Sequence, residues 1–168
     1  MALITAGVSL IFWATYQHGW EFTAHKSQNQ AQETKIVLNA KPVKIYIPKL
    51  ERTLDISDGE IVDKRWKVAT AGVSYLTTSG QIGKVGNAVI YGHNTINILG
   101  GLWRVQNGDF VEVTAQDGKV YKYQIFERRE ITPDQVDILN QSADSRLTIY
   151  TCSGFLDSAR FVVVGKLI

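Results

Sequence analysis

The chain has 168 residues, of which 20% are charged and 45% hydrophobic, with a formal net charge of +2. This fits one globular domain with some additional sequence, and the mixed charges leave no Lys/Arg stripe of the kind that nucleic-acid binding needs. The single cysteine, Cys152, excludes an intramolecular disulfide and a zinc site of the CxxC kind, so its thiol serves either packing or reactivity.

Residues 2–16, ALITAGVSLIFWATY, carry no charge. A helix rises about 1.5 Å per residue, so this stretch falls short of a hydrocarbon core of roughly 30 Å. Trp20 and Phe22 lengthen it, and Trp13, Tyr16 and Trp20 suit an interfacial belt. Residues 1–20 read as an apolar N-terminal helix, the outer part of a signal anchor that lacks the usual basic flank. The ordinary alternative is a buried or amphipathic helix. Residues 21–40 begin EFTAHKSQNQAQET, polar and Gln-rich, and read as a linker. His18 at the end of the anchor and His25 in the linker read as solvated or interfacial side chains.

From there β patterns take over. VKIYIP, residues 43–48, alternates and closes at Pro48. AVIYG, residues 88–92, is a short apolar run just before His93. FVEVTAQDGKVYKYQIFE, residues 110–127, predicts a hairpin turning at Asp117-Gly118, a pair that tolerates positive φ. RLTIYTC and RFVVVGKLI supply two further strands, one ending at Cys152 and the other opening at Arg160. Helical candidates are short: residues 97–105, and residues 133–139 with Thr132 as cap and Pro133 at the first helical position. Many short strands with scattered helices predict a mainly-β, closed or nearly closed barrel over residues 41–168.

His93, Cys152 and Arg160 each sit at the mouth of an expected strand, where a rigid sheet presents groups to a cleft. A thiolate is the nucleophilic form of cysteine, and a neighbouring imidazolium or guanidinium stabilises it. Histidine can protonate a leaving amine, because its ordinary pKa lies near working pH. Arginine offers permanently charged donors in a fixed plane for an oxyanion or a carbonyl. Spacing alone goes no further than this.

The motifs go further. TIYTC (residues 148–152) resembles the TLxTC signature of sortases, with Ile149 where Leu is usual. NAVIYGHN (residues 87–94) resembles the segment carrying the sortase histidine, and RFVVVGKL (residues 160–167) the last strand, opened by the sortase arginine. IYIPKLERTLDI resembles the first strand and the turn after it, and GVSYLTTSGQIGKVGN the segment leading to the histidine strand. These matches run in order from about residue 43 to the end of the chain.

The resemblance implies an eight-stranded β-barrel transpeptidase held outside a bacterial membrane by a single-pass anchor. It would cleave an LPxTG-like sorting signal of secreted proteins, hold the new C-terminus as a thioester on Cys152, and pass it to an amine of a cell-wall precursor or another surface protein. His93 would serve as acid and base, Arg160 would hold the carbonyl and its oxyanion, and Thr151 would add a substrate contact unless its hydroxyl only caps its own strand. The Asp-Pro-aromatic lid of pilin-polymerising members does not occur in the chain.

No cofactor is expected. Some members of the family bind calcium, and Asp55, Asp58, Glu60 and Asp63 are the carboxylates available, but their spacing is no EF-hand and a solvated acidic loop is the default. GQIGKVGN lacks the GxGxxG spacing of a nucleotide loop; Gly80, Gly83 and Gly86 are expected to shape a loop beside the cleft. Trp66 and Trp103 read as core or groove walls, and Tyr75 and Leu76 as core unless they line the groove. Two rival readings remain: an inactive barrel serving as a binding or pilus-assembly module, and a plain cysteine hydrolase. A peptidoglycan L,D-transpeptidase is disfavoured, since no SHGCIR-like run surrounds Cys152.

Overall fold

Strict alternation of apolar and polar residues organises the protein, because successive side chains on a strand point to opposite faces. The computed structural model describes residues 41–168 except residues 60, 63 and 64. The expected N-terminal helix and linker over residues 1–40 lie outside the described residues, as do Glu60 and Asp63.

Among the described residues ten strands follow in chain order: β1 (Pro42–Ile47), β2 (Arg52–Gly59), β3 (Ile61–Val62), β4 (Arg65–Trp66), β5 (Val73–Leu76), β6 (Gly86–Gly92), β7 (Phe110–Ala115), β8 (Val120–Ile131), β9 (Ser145–Ser153) and β10 (Ala159–Leu167). Eight of them close a barrel in the order β1-β2-β5-β6-β9-β10-β8-β7, while β3 and β4 form a separate two-stranded ribbon. β7 closes the barrel by pairing antiparallel with β1. Closure removes the open edges that would otherwise invite pairing with another chain.

The interior is mainly apolar. Ile45 and Ile47 of β1, Val111 and Val113 of β7, and Ile125 of β8 meet Leu147 and Ile149 of β9 in one core, each at most 1% exposed. Fully burying such a side chain contributes about 1.5–3 kcal/mol. On β9 the residues between these, Thr148, Tyr150 and Cys152, therefore lie on the outer face.

The hairpin forms as expected. Ala115 and Lys119 enclose a three-residue turn in which Gly118 takes φ 83°, and the Asp117 carboxylate accepts from the Lys119 backbone N–H at 3.0 Å. The helical expectations shrink to 3-10 turns. Residues 97–105 hold only Leu102–Arg104, and residues 133–139 only Val136–Leu139. Thr132 does not cap the latter. Its backbone N–H and hydroxyl both donate to the Gln135 side chain, and that local ring takes the place of a first helical turn.

Candidate active site

Strand direction assembles the site. β6 and β9 run parallel, with Tyr91 opposite Tyr150 and Gly92 opposite Thr151, so their C-terminal ends emerge at one rim of the barrel. His93 follows directly on one end and Cys152 stands at the other. β10 runs antiparallel to β9, so its N-terminal end reaches the same rim, and Arg160 is the direct partner of Cys152. Directly opposed residues on neighbouring antiparallel strands project to the same face, with Cα atoms about 4.5–5.5 Å apart. The chain thus brings His93, Cys152 and Arg160, sequence-distant as they are, to one cleft of about 450 Å³.

The floor of that cleft is aromatic. The rings of Tyr91 and Tyr150 stack at 5.6 Å with 14° between planes, and Trp66 meets both edge-on at 4.8 and 5.8 Å. Trp66 and Val68 form one wall, and the Tyr91 hydroxyl holds it by donating to the Lys67 carbonyl at 2.7 Å. Ile138 and Leu139 form the facing wall. Burial pushes the Tyr150 phenol far up, with Tyr91 adding to the shift and Arg160 opposing it, so the hydroxyl stays neutral at any physiological pH.

The reactive end is more polar. Cys152 is half-buried and His93 exposed, while the backbone carbonyl of His93 accepts from the Leu99 N–H at 3.1 Å. The Arg160 Nη1 donates to the carbonyls of Asp157 and Ala159 at 2.9 and 2.7 Å. Those two bonds use the hydrogens of one guanidinium nitrogen out of five N–H donors, and Arg160 itself lines the cleft. The connection that Arg160 clasps is tightly folded: Leu156 and Asp157 are consecutive left-handed residues at φ 53° and 60°, a conformation costing about 1–2 kcal/mol per non-glycine residue.

The side chain of Thr151 points inward, although the residue itself lines the cleft. It is 3% exposed on the inner side of β9, and its hydroxyl donates to the Gly92 carbonyl at 2.8 Å. Its hydroxyl is thus engaged between strands rather than within its own.

Placement bears on the other residues singled out in the sequence. Trp103 is neither core nor groove wall; it is 63% exposed and absent from the cleft lining. Tyr75 and Leu76 are core, with the Tyr75 hydroxyl donating to the Gly80 carbonyl. The glycine loop is not beside the reactive groups: Gly86 opens β6 and His93 follows its far end, so a full strand separates them. Asp55 and Asp58 pair with Lys44 and Lys41, and among the described residues no three His, Cys, Asp or Glu side chains gather as a metal site.

Tyr91, Tyr150 and the 138–139 wall were not anticipated. Tyr150 was within reach of the alternation rule, standing two residues before Cys152 and therefore on its face. The wall carries no comparable local signal.

A sequence model of the family described as Sortase domain matches residues 45–168. Sortase A of Listeria monocytogenes is 29% identical over 101 residues, covering 58% of this chain and 45% of that protein. The chain thus spans less than half the length of that relative. Among solved structures, a Clostridium perfringens sortase D5 transpeptidase superposes with TM-score 0.67 at 24% identity, over 83% of this chain and 88% of that one. The crystal structure of Listeria monocytogenes sortase A gives TM-score 0.64 at 24% identity, over 77% of this chain and 88% of that one. Both share the barrel described above.

Proposed function

The chain belongs to the sortase family, and on that premise we propose that it is a cysteine transpeptidase acting on an LPxTG-like sorting signal of secreted proteins. The observation that carries this reading is the convergence of His93, Cys152 and Arg160 on one cleft, with Arg160 the direct strand partner of Cys152.

In the proposed reaction the Cys152 thiolate attacks the carbonyl carbon of the scissile peptide bond. The oxygen gains the negative charge, and the remaining Arg160 donors stabilise it. As the tetrahedral intermediate collapses, His93 protonates the departing amine and the acyl group stays on sulfur as a thioester. An incoming amine then attacks the thioester, His93 takes its proton, and Cys152 leaves as thiolate. One amide is broken and one is made, so no external energy source is needed. The apolar end of the cleft, with Trp66, Val68, Ile138 and Leu139, suits the Leu-Pro part of the peptide. Thr151 contributes to this site through the Gly92 carbonyl that it holds beside His93.

The same reading places the enzyme on the outer side of a bacterial membrane, anchored by residues 1–20, with a cell-wall precursor or another surface protein as amine donor. Amine transfer prevails over hydrolysis only where the acceptor is held near His93, because positioning substitutes for concentration. The test is mass spectrometry of products from a library of LPxTG-like peptides, with and without glycine- or lysine-type amines at millimolar levels. Amide-ligated product that grows with amine concentration is expected. Hydrolysed acid alone, with every amine including a wall precursor, would replace this reading with a cysteine hydrolase. No cleavage of any peptide would favour the inactive binding module.

A further inference from the structure

The cleft wall formed by Ile138 and Leu139 belongs to residues 132–144, a connection whose only regular element is the 3-10 turn Val136–Leu139. A connection with so little secondary structure needs outside partners for its backbone polar groups. One buried amide supplies two of them. Asn87 stands on the outer face of β6, 3% exposed and outside the cleft lining. Its Nδ2 donates to the carbonyls of Ile138 at 2.9 Å and Asn140 at 3.2 Å. Its Oδ1 accepts from the Thr148 hydroxyl of β9 at 2.7 Å, and its backbone N–H donates to Gln141 Oε1 at 3.1 Å.

The orientation of this carboxamide follows from chemistry. Backbone carbonyls only accept, so the atom facing Ile138 and Asn140 is the nitrogen, and Thr148 donates to the oxygen on the other side. The surroundings leave little room to re-form the network. A Cβ at Gly86 would stand 2.6 Å from Gln141 Oε1, and one at Gly80 only 2.7 Å from the Asn87 backbone nitrogen. The two tethered carbonyls flank Leu139, which packs against the cluster of Leu76, Val89 and Tyr91, while Ile138 packs against the cluster of Ile131, Val162 and Val164. Fixing these carbonyls therefore fixes the side chains that face the substrate.

We propose that Asn87, with its carboxamide oriented by Thr148, is a positioning residue that sets the apolar substrate wall at Ile138 and Leu139. The inference rests on the transpeptidase reading for its kinetic consequence, though the structural tether stands by itself. Asn87 touches no reacting atom, so its loss changes how well a peptide is held rather than the chemistry at sulfur.

The experiment compares wild type with Asn87→Ala, Thr148→Val and Thr148→Ser by three measurements. The first is amide hydrogen exchange across residues 136–141 and across β9 and β10. The second is KM and kcat for a sorting peptide, and the third is the alkylation rate of Cys152 by iodoacetamide, which needs no peptide groove. Asn87→Ala and Thr148→Val should each speed exchange at 136–141 by at least about tenfold while β9 and β10 stay protected. KM should rise about tenfold with kcat within about twofold, which is loss of uniform binding. Alkylation should stay at the wild-type rate, and Thr148→Ser should behave as wild type. Unchanged exchange at 136–141 in both variants would overturn the proposal, as would a fall in kcat and alkylation with KM unmoved. Should Asn87→Ala fail to fold, the Thr148 pair decides the question by the same criteria. A wild-type protein inactive on every sorting peptide would overturn the transpeptidase reading instead, and the exchange comparison would then decide the tether.

Discussion

The hydroxyl of Thr151 donates to the carbonyl of Gly92 at 2.8 Å, tying the residue before the cysteine to the residue before the histidine. Two strands whose relevant residues lie 59 positions apart are pinned at the rim where β6 ends. A backbone carbonyl buried without its donor costs about 1–3 kcal/mol. Thr151→Val should lower the unfolding free energy by about that amount and reduce kcat more than it raises KM, because His93 loses its fixed departure from β6. Thr151→Ser should retain both properties. Denaturant titration with steady-state kinetics is the check; a valine variant with native stability and kcat would show that the bond positions nothing.

Cys152→Ala should abolish acylation and leave the fold intact. The thiol is half-buried at the cleft, so its removal leaves little void, in contrast to a truncation among the fully buried residues of the core. Intact-mass spectrometry with a sorting peptide should show no thioester, with circular dichroism unchanged. Continued peptide cleavage by the alanine variant would remove Cys152 from the nucleophile's role.

Arg160→Lys should be far from conservative. The guanidinium holds the carbonyls of Asp157 and Ala159 with one nitrogen and has donors left for the cleft, whereas an ammonium is a single point charge on a flexible stem. Turnover should fall roughly 100- to 1000-fold, the usual scale for losing an oxyanion donor. Near-native rates in the lysine variant would mean that charge alone matters at this position.

Stability should fall as pH rises above about 10, the ordinary tyrosine pKa. Burial raises the phenols of Tyr75, Tyr123 and Tyr150 in the folded protein. Above the unfolded pKa the unfolded chain has released these protons while the folded protein keeps them. The unfolded state then binds fewer protons, so the unfolding free energy decreases with pH, by up to about 1.4 kcal/mol per pH unit for each tyrosine. Below the unfolded pKa both states hold the proton and the contribution is flat. Denaturant titrations of wild type and Tyr150→Phe between pH 9 and 11.5 (approximate bounds set around that pKa) should give a shallower decline in the variant. Parallel slopes would show that Tyr150 ionises as easily folded as unfolded.

Much of this protein is determined locally. Alternation in VKIYI, VEVTA and LTIYT marks strands because period two is a property of consecutive residues, and Asp117-Gly118 marks its turn for the same reason. The placement of His93, Cys152 and Arg160 at strand mouths is equally local, as is the order of motifs that points to the family. What tertiary structure alone decided is which strands meet and what covers them. The parallel pairing of β6 with β9, which brings His93 beside Cys152, joins residues far apart in the chain and leaves no trace in either segment's own pattern. The stacking of Tyr91 on Tyr150 follows from that pairing, and so does the reach of Asn87 across to Ile138 and Asn140. Residues 133–139 fall short of a helix because tethers to β6 and packing on two outer-face clusters outweigh local propensity. Periodicity tells each residue which face it occupies; only closure of the barrel tells it which neighbour it will find there.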